Sequence, residues 1–512
     1  MPRPPDPSVA FQPLELQLDW TLHDSYGEGD AYAALPVHGA GFGKAAALCI
    51  GSRQCQKANG QGGEKGVMCP SFRVTQDDLH STRGRAALLR DALNGDLGPQ
   101  PFVDGRLDDA MSLCVACKGC KRECPNGVDM AALRAETLAQ RWAGARQIPL
   151  RTRLFSALPH WLPRLSAWRW AVLPALALRE RVPLLARSIE RVLGISARRS
   201  VPRPVARPFL DRPRPAPLKH EAQPGDAALP EIVLLVDCFA NHLEPGVAHA
   251  ALALLESAGY RVHLLRPPDG GSALCCGRAA YSSGRIQMAR DQARRLLDAL
   301  APHVAAGRSI VGLEPSCLSM LRDENHQLGL DAALVQAVSK ASLMLEEFLA
   351  RELDARRWAP AGLRPTGTSV DPMRARSGAD PVGSTPSSVE TGADQAAMQV
   401  LVHGHCHQKA FGTLKALRKV LAAFAGLKVD WVESSCCGMA GSFGYEAEHY
   451  DHSMRMAELA LLPAVRGAPP QAQIIASGTS CRHQIRDGAG RESLHLAQLL
   501  NRLRAAHDGS AR

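Results

Sequence analysis

The order of apolar and polar positions repeats itself in the second half of the chain. The apolar runs EIVLLVDC, RVHLL and SIVGL predict three buried strands, and after an interruption MQVLVHGHC, KVDWVE and QIIAS predict three more. Amphipathic helices are predicted between and after these strands, at 245–258, 285–300, 411–424 and 445–464. Apolar strands that alternate with helices are typical of parallel sheets. The pattern therefore predicts two α/β domains with parallel sheets, at 231–359 and 398–505.

Ahead of the repeat, the spacing of apolar residues predicts a mainly α-helical module at 45–140. In RGRAALLRDALNG the apolar side chains recur at near-helical spacing, Ser81 precedes them as a cap and Gly95 follows them. Further helices are predicted at 107–113 and 128–142. Residues 1–44 predict a loop-like arm.

Two other segments are rich in proline, glycine or small polar residues. Residues 360–397 contain no aromatic residue and predict a disordered tether between the α/β domains. The end of segment 141–230 predicts an extended linker. In its first part prolines interrupt a leucine-rich sequence and predict short helices, at Pro163, Pro174 and Pro183.

The charge of the chain is concentrated in the same segment. From Arg141 to His220 there are sixteen arginines and one lysine against three acidic residues, whereas the net charge of the whole chain is +10. Trp142, Trp161, Trp168 and Trp170 lie among these arginines. Arginine and tryptophan together can place residues 141–200 against a membrane surface, and packing on a neighbouring domain or partner explains the pattern equally well. No nucleic-acid-reading motif accompanies the charge, which argues against a nucleic-acid partner.

Fifteen cysteines in 512 residues are many for a chain whose opening residues lack an apolar signal-peptide core. No run of residues is long and apolar enough to span a bilayer. Thiolate metal centres in a reducing compartment are expected, rather than an extracellular disulfide framework. The expected location is the cytoplasm, with peripheral contact at the inner face of the membrane as an extension of it.

One cysteine motif is highly specific. Cys114, Cys117, Cys120 and Cys124, the last followed by Pro125, have the Cys-x2-Cys-x2-Cys-x3-Cys-Pro spacing that binds a [4Fe-4S] cluster. A zinc knuckle is less well matched, because zinc sites use two separated cysteine pairs. A cluster of buried thiols without metal is the remaining alternative.

A weaker copy of the motif precedes it. Cys49 and Cys55 keep its steps with Ser52 between them, and Cys69 is followed by Pro70. In two-cluster ferredoxins the last cysteine of each motif binds the other cluster. This rule predicts a complete site formed by Cys69, Cys114, Cys117 and Cys120. It also predicts a second, incomplete site formed by Cys49, Cys55 and Cys124.

The remaining eight cysteines fall after the predicted strands of the α/β domains, where parallel sheets bind ligands. Each domain is predicted to use four cysteines for metal or for thiol redox chemistry: Cys238, Cys275, Cys276 and Cys317 in the first, and Cys406, Cys436, Cys437 and Cys481 in the second. The vicinal pairs could act as a thiol–disulfide couple. His405 and His407 beside Cys406 are candidates for a supporting role as hydrogen-bond donors or proton relays.

These motifs resemble a known group of oxidoreductases. The double Cys-Cys-Gly pattern is similar to the cysteine-rich (CCG) domain found in heterodisulfide reductase and in the iron–sulfur subunits of glycolate oxidase, L-lactate dehydrogenase and anaerobic glycerol-3-phosphate dehydrogenase. The segments VMCPSFRVTQDDLHSTRGRA, LCVACKGCKRECPNGVDMAAL, HGHCHQKA and CCGMAGSFGYE resemble the carboxyl half of fused flavin and iron–sulfur dehydrogenases of the D-2-hydroxyglutarate or D-lactate type.

The resemblance implies an electron-transfer subunit that carries at least one [4Fe-4S] cluster. Because the chain has no dinucleotide fingerprint, FAD is expected on a partner dehydrogenase, and a quinone or a soluble carrier is expected to accept the electrons. Met320 and Gln484 stand where the heterodisulfide reductase pattern has a further cysteine. Four-thiolate sites or one degenerate site are therefore expected in the repeats. The alternatives are a heterodisulfide or thiol reductase that uses the vicinal cysteines, and a scaffold with structural metal only.

Overall fold

The computed structural model of the chain describes residues 13–56, 66–145, 148–213, 229–267, 273–359 and 397–510. The predicted tether lies outside the described residues except for Ala397, and parts of the predicted arm and linker also lie outside them. The predicted fold class is confirmed: a helical ferredoxin-like module precedes two units with parallel sheets.

The ferredoxin-like module contains six helices. They are α1 Ala40–Ala47, α2 Pro70–Thr75, α3 Thr82–Leu93, α4 Gly105–Ser112, α5 Gly119–Glu123 and α6 Met130–Gly144. Ser81 caps α3 as expected, accepting a hydrogen bond from the amide of Gly84 at 3.0 Å. The arm ahead of the module is anchored through Glu136 of α6, whose carboxylate accepts hydrogen bonds from the Leu18 amide and the Trp20 indole.

The basic segment forms four short helices, α7 Leu150–Ser156, α8 Leu158–Ala167, α9 Arg169–Arg181 and α10 Pro183–Leu193. Pro183 begins α10, where its missing amide proton costs nothing. Pro163 and Pro174 lie inside α8 and α9 and do not end them, contrary to the prediction of interrupted helices.

In the first repeat, four parallel strands form a sheet in the order β2-β1-β3-β4. Its strands are β1 Glu231–Leu235, β2 Arg261–Leu264, β3 Ser309–Gly312 and β4 Ser342–Met344. The helices are α11 Cys238–His242, α12 Pro245–Ser257, α13 Arg278–Ser282, α14 Ile286–Ala305, α15 Pro315–Arg322, α16 Ala332–Ala341 and α17 Leu345–Asp354. Three of these strands were predicted, and β4 was not.

The second repeat has a parallel sheet of three strands in the order β6-β5-β7. The strands are β5 Met398–His403, β6 Leu427–Trp431 and β7 Gln473–Ala476. The helices are α18 Cys406–Ala410, α19 Leu414–Ala422, α20 Tyr450–Glu458, α21 Leu461–Gly467, α22 Thr479–Ala489 and α23 Leu496–Ser510. The single helix expected at 445–464 is divided into α20 and α21, after two short 3₁₀ turns.

The module packs against both repeats. One continuous core joins Phe42, Leu89 and Leu133 of the module to Val233 and Ile310 of the first sheet. A second core joins Val115 and Cys117 of the module to apolar residues of the second repeat, including Val432, Cys437 and Ile474. The cysteine loops of the three parts are therefore held side by side by shared apolar burial.

Candidate metal centres

Four cysteines of the ferredoxin-like module face one small cavity. Cys69, Cys114, Cys117 and Cys120 all line a space of about 20 Å³ that is closed by residues of α2, α3 and α6. Cys69 precedes α2 and the other three belong to the loop leading into α5. A [4Fe-4S] cluster takes four cysteine thiolates, so this donor set fits the cluster that the sequence motif implies.

The thiols of this group are held by burial and by the start of α3. The Thr82 amide donates a hydrogen bond to the Cys69 sulfur at 3.1 Å, and the Thr82 hydroxyl lies 3.0 Å from the same atom. Burial raises the pKa of Cys120 to about 12 and the pKa of Cys117 well above its ordinary value. Both stay protonated at neutral pH unless a metal ion displaces the proton.

The cysteines of the predicted incomplete site also lie together. Cys49 is close enough to Cys55 and Cys124 for their charges to influence one another. Cys55 accepts a hydrogen bond from the Arg83 amide at 3.4 Å. A hydrogen bond from Cys69 is the main cause that lowers the pKa of Cys55 to about 6. Ser52 is exposed, so its hydroxyl is not held in the buried group, and the ligand count of this site stays a prediction.

The two repeats arrange their cysteines in the same way. In the first, hydrogen bonds between thiols run in the order Cys238, Cys275, Cys276, Cys317. In the second, they run in the order Cys406, Cys436, Cys437, Cys481. All fifteen cysteines of the chain are free thiols.

The glycine after each vicinal pair has a positive φ, 86° at Gly277 and 81° at Gly438. An added Cβ would lie 2.8 Å from the Ala289 carbonyl oxygen in the first repeat and 2.2 Å from the Ser453 carbonyl oxygen in the second. Only glycine meets both demands. In return, the amide of Gly277 approaches the Cys275 sulfur at 3.5 Å, and that of Gly438 approaches the Cys436 sulfur at 3.3 Å.

One large cavity joins the three groups of cysteines. It encloses about 660 Å³ between the module, the basic helices and the two repeats. Seven of the eight repeat cysteines line it, all except Cys481, together with Cys114 of the module. Because Cys114 also faces the small cavity of the module, this cysteine connects the two spaces.

The two predicted supporting histidines occupy different positions. His405 caps α18: its Nδ1 accepts a hydrogen bond from the His407 amide at 3.1 Å and lies 3.9 Å from the Cys406 sulfur. His407 bridges the three parts of the molecule. Its Nε2 lies 3.2 Å from the Ala116 carbonyl oxygen of the module, and its Nδ1 lies 3.2 Å from the Ser319 hydroxyl of the first repeat.

Several residues around the cysteines had no signal in the sequence. Lys118, between two cysteines of the motif, is buried and pairs with Asp129 at 2.8 Å, Asp323 at 2.9 Å and Glu324 at 3.4 Å. Burial alone would lower the pKa of Lys118, but these carboxylates outweigh it and raise the pKa well above the ordinary value. Lys118 is thus neither a solvated surface charge nor free of acidic partners, because it joins the module to the first repeat.

A second such link connects the repeats directly. Glu314, which precedes the helix carrying Cys317, accepts a hydrogen bond from the Thr479 amide at 2.9 Å. Thr479 begins α22, the helix that carries Cys481, so the carboxylate meets a helix N-terminus. The carboxylate at position 314 could be read from the sequence, but its partner in the other repeat could not.

Comparison with known proteins is consistent with this arrangement. Residues 45–128 match the family of 4Fe-4S dicluster domains, and residues 232–322 match the family of cysteine-rich (CCG) domains. D-2-hydroxyglutarate dehydrogenase of Escherichia coli K12 is 23% identical over 495 residues, which cover 88% of this chain and 43% of that protein. The glycolate oxidase iron-sulfur subunit of the same organism is 24% identical over 291 residues, which cover 56% of this chain and 63% of the subunit.

One subunit of its anaerobic glycerol-3-phosphate dehydrogenase is 24% identical over 281 residues, which cover 53% of this chain and 58% of that subunit. The chain spans less than half the length of the D-2-hydroxyglutarate dehydrogenases that it matches. The resemblance stated from the motifs and the expected 4Fe-4S cofactor are confirmed by these matches. All the relatives named here are oxidoreductases or subunits of them, as predicted.

Proposed function

We propose that this chain is an iron–sulfur electron-transfer subunit. It would receive electrons from a separate FAD-binding dehydrogenase that oxidises a 2-hydroxy acid, of the glycolate, D-lactate or D-2-hydroxyglutarate kind, and pass them to a quinone or a soluble carrier in the cytoplasm. The observation that carries the proposal is the convergence of the cysteine groups: Cys114 faces both the cavity of the module and the larger cavity lined by the repeat cysteines.

Each part of the chain has a distinct task in this proposal. Cys69, Cys114, Cys117 and Cys120 would hold one [4Fe-4S] cluster, which supplies one-electron chemistry. Cys49, Cys55 and Cys124 would contribute a second, incomplete site. The repeat cysteines would bind further metal or exchange electrons as thiols. Thr82 and the amides of Gly277 and Gly438 orient hydrogen bonds toward sulfur, and such bonds set the reduction potential of a cluster.

Chemical analysis of the chain purified without oxygen tests the central claim. We expect about four iron atoms and four sulfides for each complete site, and a low-temperature EPR signal of a reduced cubane after dithionite treatment. Zinc without iron would contradict the proposal and favour a scaffold with structural metal. An iron-free chain that reduces disulfides would favour the thiol reductase alternative, whose thiols line the larger cavity.

The partner is tested separately. Affinity capture of the chain from its native cell is expected to recover an FAD-containing dehydrogenase. Addition of a 2-hydroxy acid to the captured complex should then reduce the iron–sulfur signal, whereas addition to the isolated chain should not. Reduction in the isolated chain would contradict the assignment of FAD to another polypeptide.

We also propose that the basic helices bring the chain to an anionic membrane surface, where a quinone acceptor is available. Large apolar side chains are exposed along this segment, among them Trp168 at 66%, Trp170 at 77% and Leu184 at 74%. Among the described residues no helix has both the length and the apolar character needed to cross a bilayer. Contact through side chains that enter only the interface is the form of binding that this pattern supports.

A further inference from the structure

His403, the last residue of β5, lies buried beside two cysteines of the second repeat. The ligand atoms of His403, Cys437 and Cys481 lie within 4.8 Å of one another, and all three residues are buried. His403 Nδ1 lies 3.0 Å from the Ser434 hydroxyl, whereas Nε2 has no hydrogen-bond partner among the described residues. Leaving a polar atom buried without a partner costs free energy, which points to a ligand that the polypeptide itself does not supply.

The first repeat has no such nitrogen at the equivalent position. Leu235 stands three residues before Cys238, just as His403 stands three residues before Cys406. Leu235 pairs with Gly312 in its sheet and His403 pairs with Ala476, each partner being five residues before the last cysteine of its repeat. Because an apolar side chain fills this position in one copy of the fold, packing alone does not require histidine in the other.

The spacing of the three ligand atoms indicates the kind of metal. Ligands bound to one tetrahedral zinc ion, at about 2.0 Å for nitrogen and about 2.3 Å for sulfur, stand roughly 4 Å or less from one another. The thiolates of a cubane cluster each bind a different iron atom and so stand farther apart. Within the described part of the chain, no other group that includes a cysteine is gathered as closely as this one.

We propose that the second repeat binds a single tetrahedral Zn²⁺ ion through His403 Nε2, Cys437 Sγ and Cys481 Sγ. The fourth position would be completed by Cys436, the thiol hydrogen-bonded to Cys437, or by a water molecule. Zinc has no redox chemistry in proteins. This inference therefore goes beyond the proposed function, because it makes the second repeat a structural centre and leaves electron transfer to the module and the first repeat.

The test uses the full chain, purified without oxygen, and measures zinc, iron and sulfide per chain. The wild-type chain should retain about one zinc ion per chain after dialysis. His403→Leu, which installs the residue that the first repeat carries, should lose at least tenfold of the zinc and keep its iron, its sulfide and its EPR signal. His495→Gln is the matched control: His495 is also buried in this repeat, but its Nε2 contacts the Leu313 carbonyl oxygen at 3.1 Å, so its zinc should stay unchanged.

X-ray absorption at the zinc edge provides a readout that does not depend on the stability of His403→Leu. The wild-type spectrum should contain a nitrogen shell beside sulfur, and His403→Cys should retain zinc with a sulfur-only shell. Zinc content and spectrum that are unchanged in both variants would overturn the site. Loss of iron in His403→Leu, with histidine nitrogen coupling in the wild-type EPR signal, would overturn the single-ion assignment. A chain without iron whose zinc depends on His403 would contradict the proposed function and support this inference.

Discussion

Cys69 is separated in sequence from the three cysteines with which it shares a cavity. If Cys69 is the fourth ligand of the complete cluster, Cys69→Ala should abolish the reduced cubane EPR signal as fully as Cys117→Ala, because a cubane that loses a thiolate exposes one iron atom to solvent. Low-temperature EPR of the dithionite-reduced chain measures the loss. Circular dichroism should show that the helices of the module remain.

Cys124→Ala is the control for this substitution, since Cys124 belongs to the same motif in sequence but lies with Cys49. It should leave the signal of the complete cluster in place. A signal that survives Cys69→Ala and disappears in Cys124→Ala would show that the motif binds its cluster with its own four cysteines.

The hydroxyl of Thr82 should tune the same cluster. It lies 3.0 Å from the Cys69 sulfur, and a hydrogen bond to a ligand sulfur favours the more negative, reduced state. Thr82→Val removes this bond and keeps the shape of the side chain. A bond worth about 1 kcal/mol more in the reduced state corresponds to a potential lower by about 40 mV. Redox titration followed by EPR measures the shift, Thr82→Ser should restore the wild-type potential, and a potential raised in Thr82→Val would contradict this role.

At the residue scale, the sequence allowed the cysteines to be located and grouped, because iron–sulfur motifs have a fixed spacing along the chain. It did not allow their neighbours to be identified. Lys118, Asp323 and Glu314 act through partners in other parts of the fold, and such partners follow no spacing rule. The distinct environment of His403 also emerged only when the two repeats were compared strand by strand.

At the scale of elements, the repeated strands were predicted well because their apolar runs are short, continuous and bounded by turns. The strand β4 was missed because its three residues are too few for a period. Pro163 and Pro174 failed as signals of helix ends, since proline placed early in a short helix removes few hydrogen bonds. The division between α20 and α21 follows Leu459 and Ala460 and involves no glycine or proline at that point, so composition gave no sign of it.

The contact between α17 and α18 gives a prediction about pH. Glu346 in α17 accepts a hydrogen bond from Gln408 in α18, and burial raises its pKa from 4.5 to about 7. Folding therefore favours the neutral carboxyl group. Its contribution to stability is complete below pH 4.5 and is lost as the pH rises through about 7, a loss of about 3 kcal/mol for a shift of this size.

Glu346→Gln removes this titration while keeping a hydrogen-bond acceptor for Gln408. The melting temperature of the wild-type chain should fall more steeply between about pH 5 and about pH 8 than that of the variant. Thermal melts at both pH values measure the difference. Glu492→Gln, at an exposed site, should behave as the wild type, and parallel pH profiles for the wild type and Glu346→Gln would contradict the prediction.

At the scale of the whole molecule, the packing of the module against both repeats was not predicted. Each part has its own apolar pattern, and no feature of those patterns shows which surfaces will meet. The structure shows instead that Lys118, Glu314 and His407 lie at the junctions. Because these polar contacts join the cysteine loops themselves, the distances between the centres should depend on the assembled chain and not on any one part.

The outer surface of the assembled chain leads to the last prediction. Much of the positive charge of the basic segment is used internally, as in the ion pairs of Arg199 with Asp487 and Arg151 with Glu448. Arg181, Arg187 and Arg191 are exposed on α9 and α10, near the exposed apolar side chains of the same helices. An anionic bilayer satisfies both features at once, since its lipid head groups attract arginine and its interface accepts tryptophan.

The purified chain should therefore sediment with vesicles that contain anionic lipid and not with purely zwitterionic vesicles, and high salt should weaken the binding. Replacing Trp168 and Trp170 together with serine removes two large apolar groups from the interface and should weaken binding at least roughly tenfold, since about 1.4 kcal/mol suffices for that change. Tyr32→Ser is the matched control, because Tyr32 is equally exposed but lies outside the basic helices. Equal binding of the double variant and the wild type would mean that these tryptophans face a protein partner, and capture of the FAD-containing dehydrogenase should then be lost in the double variant.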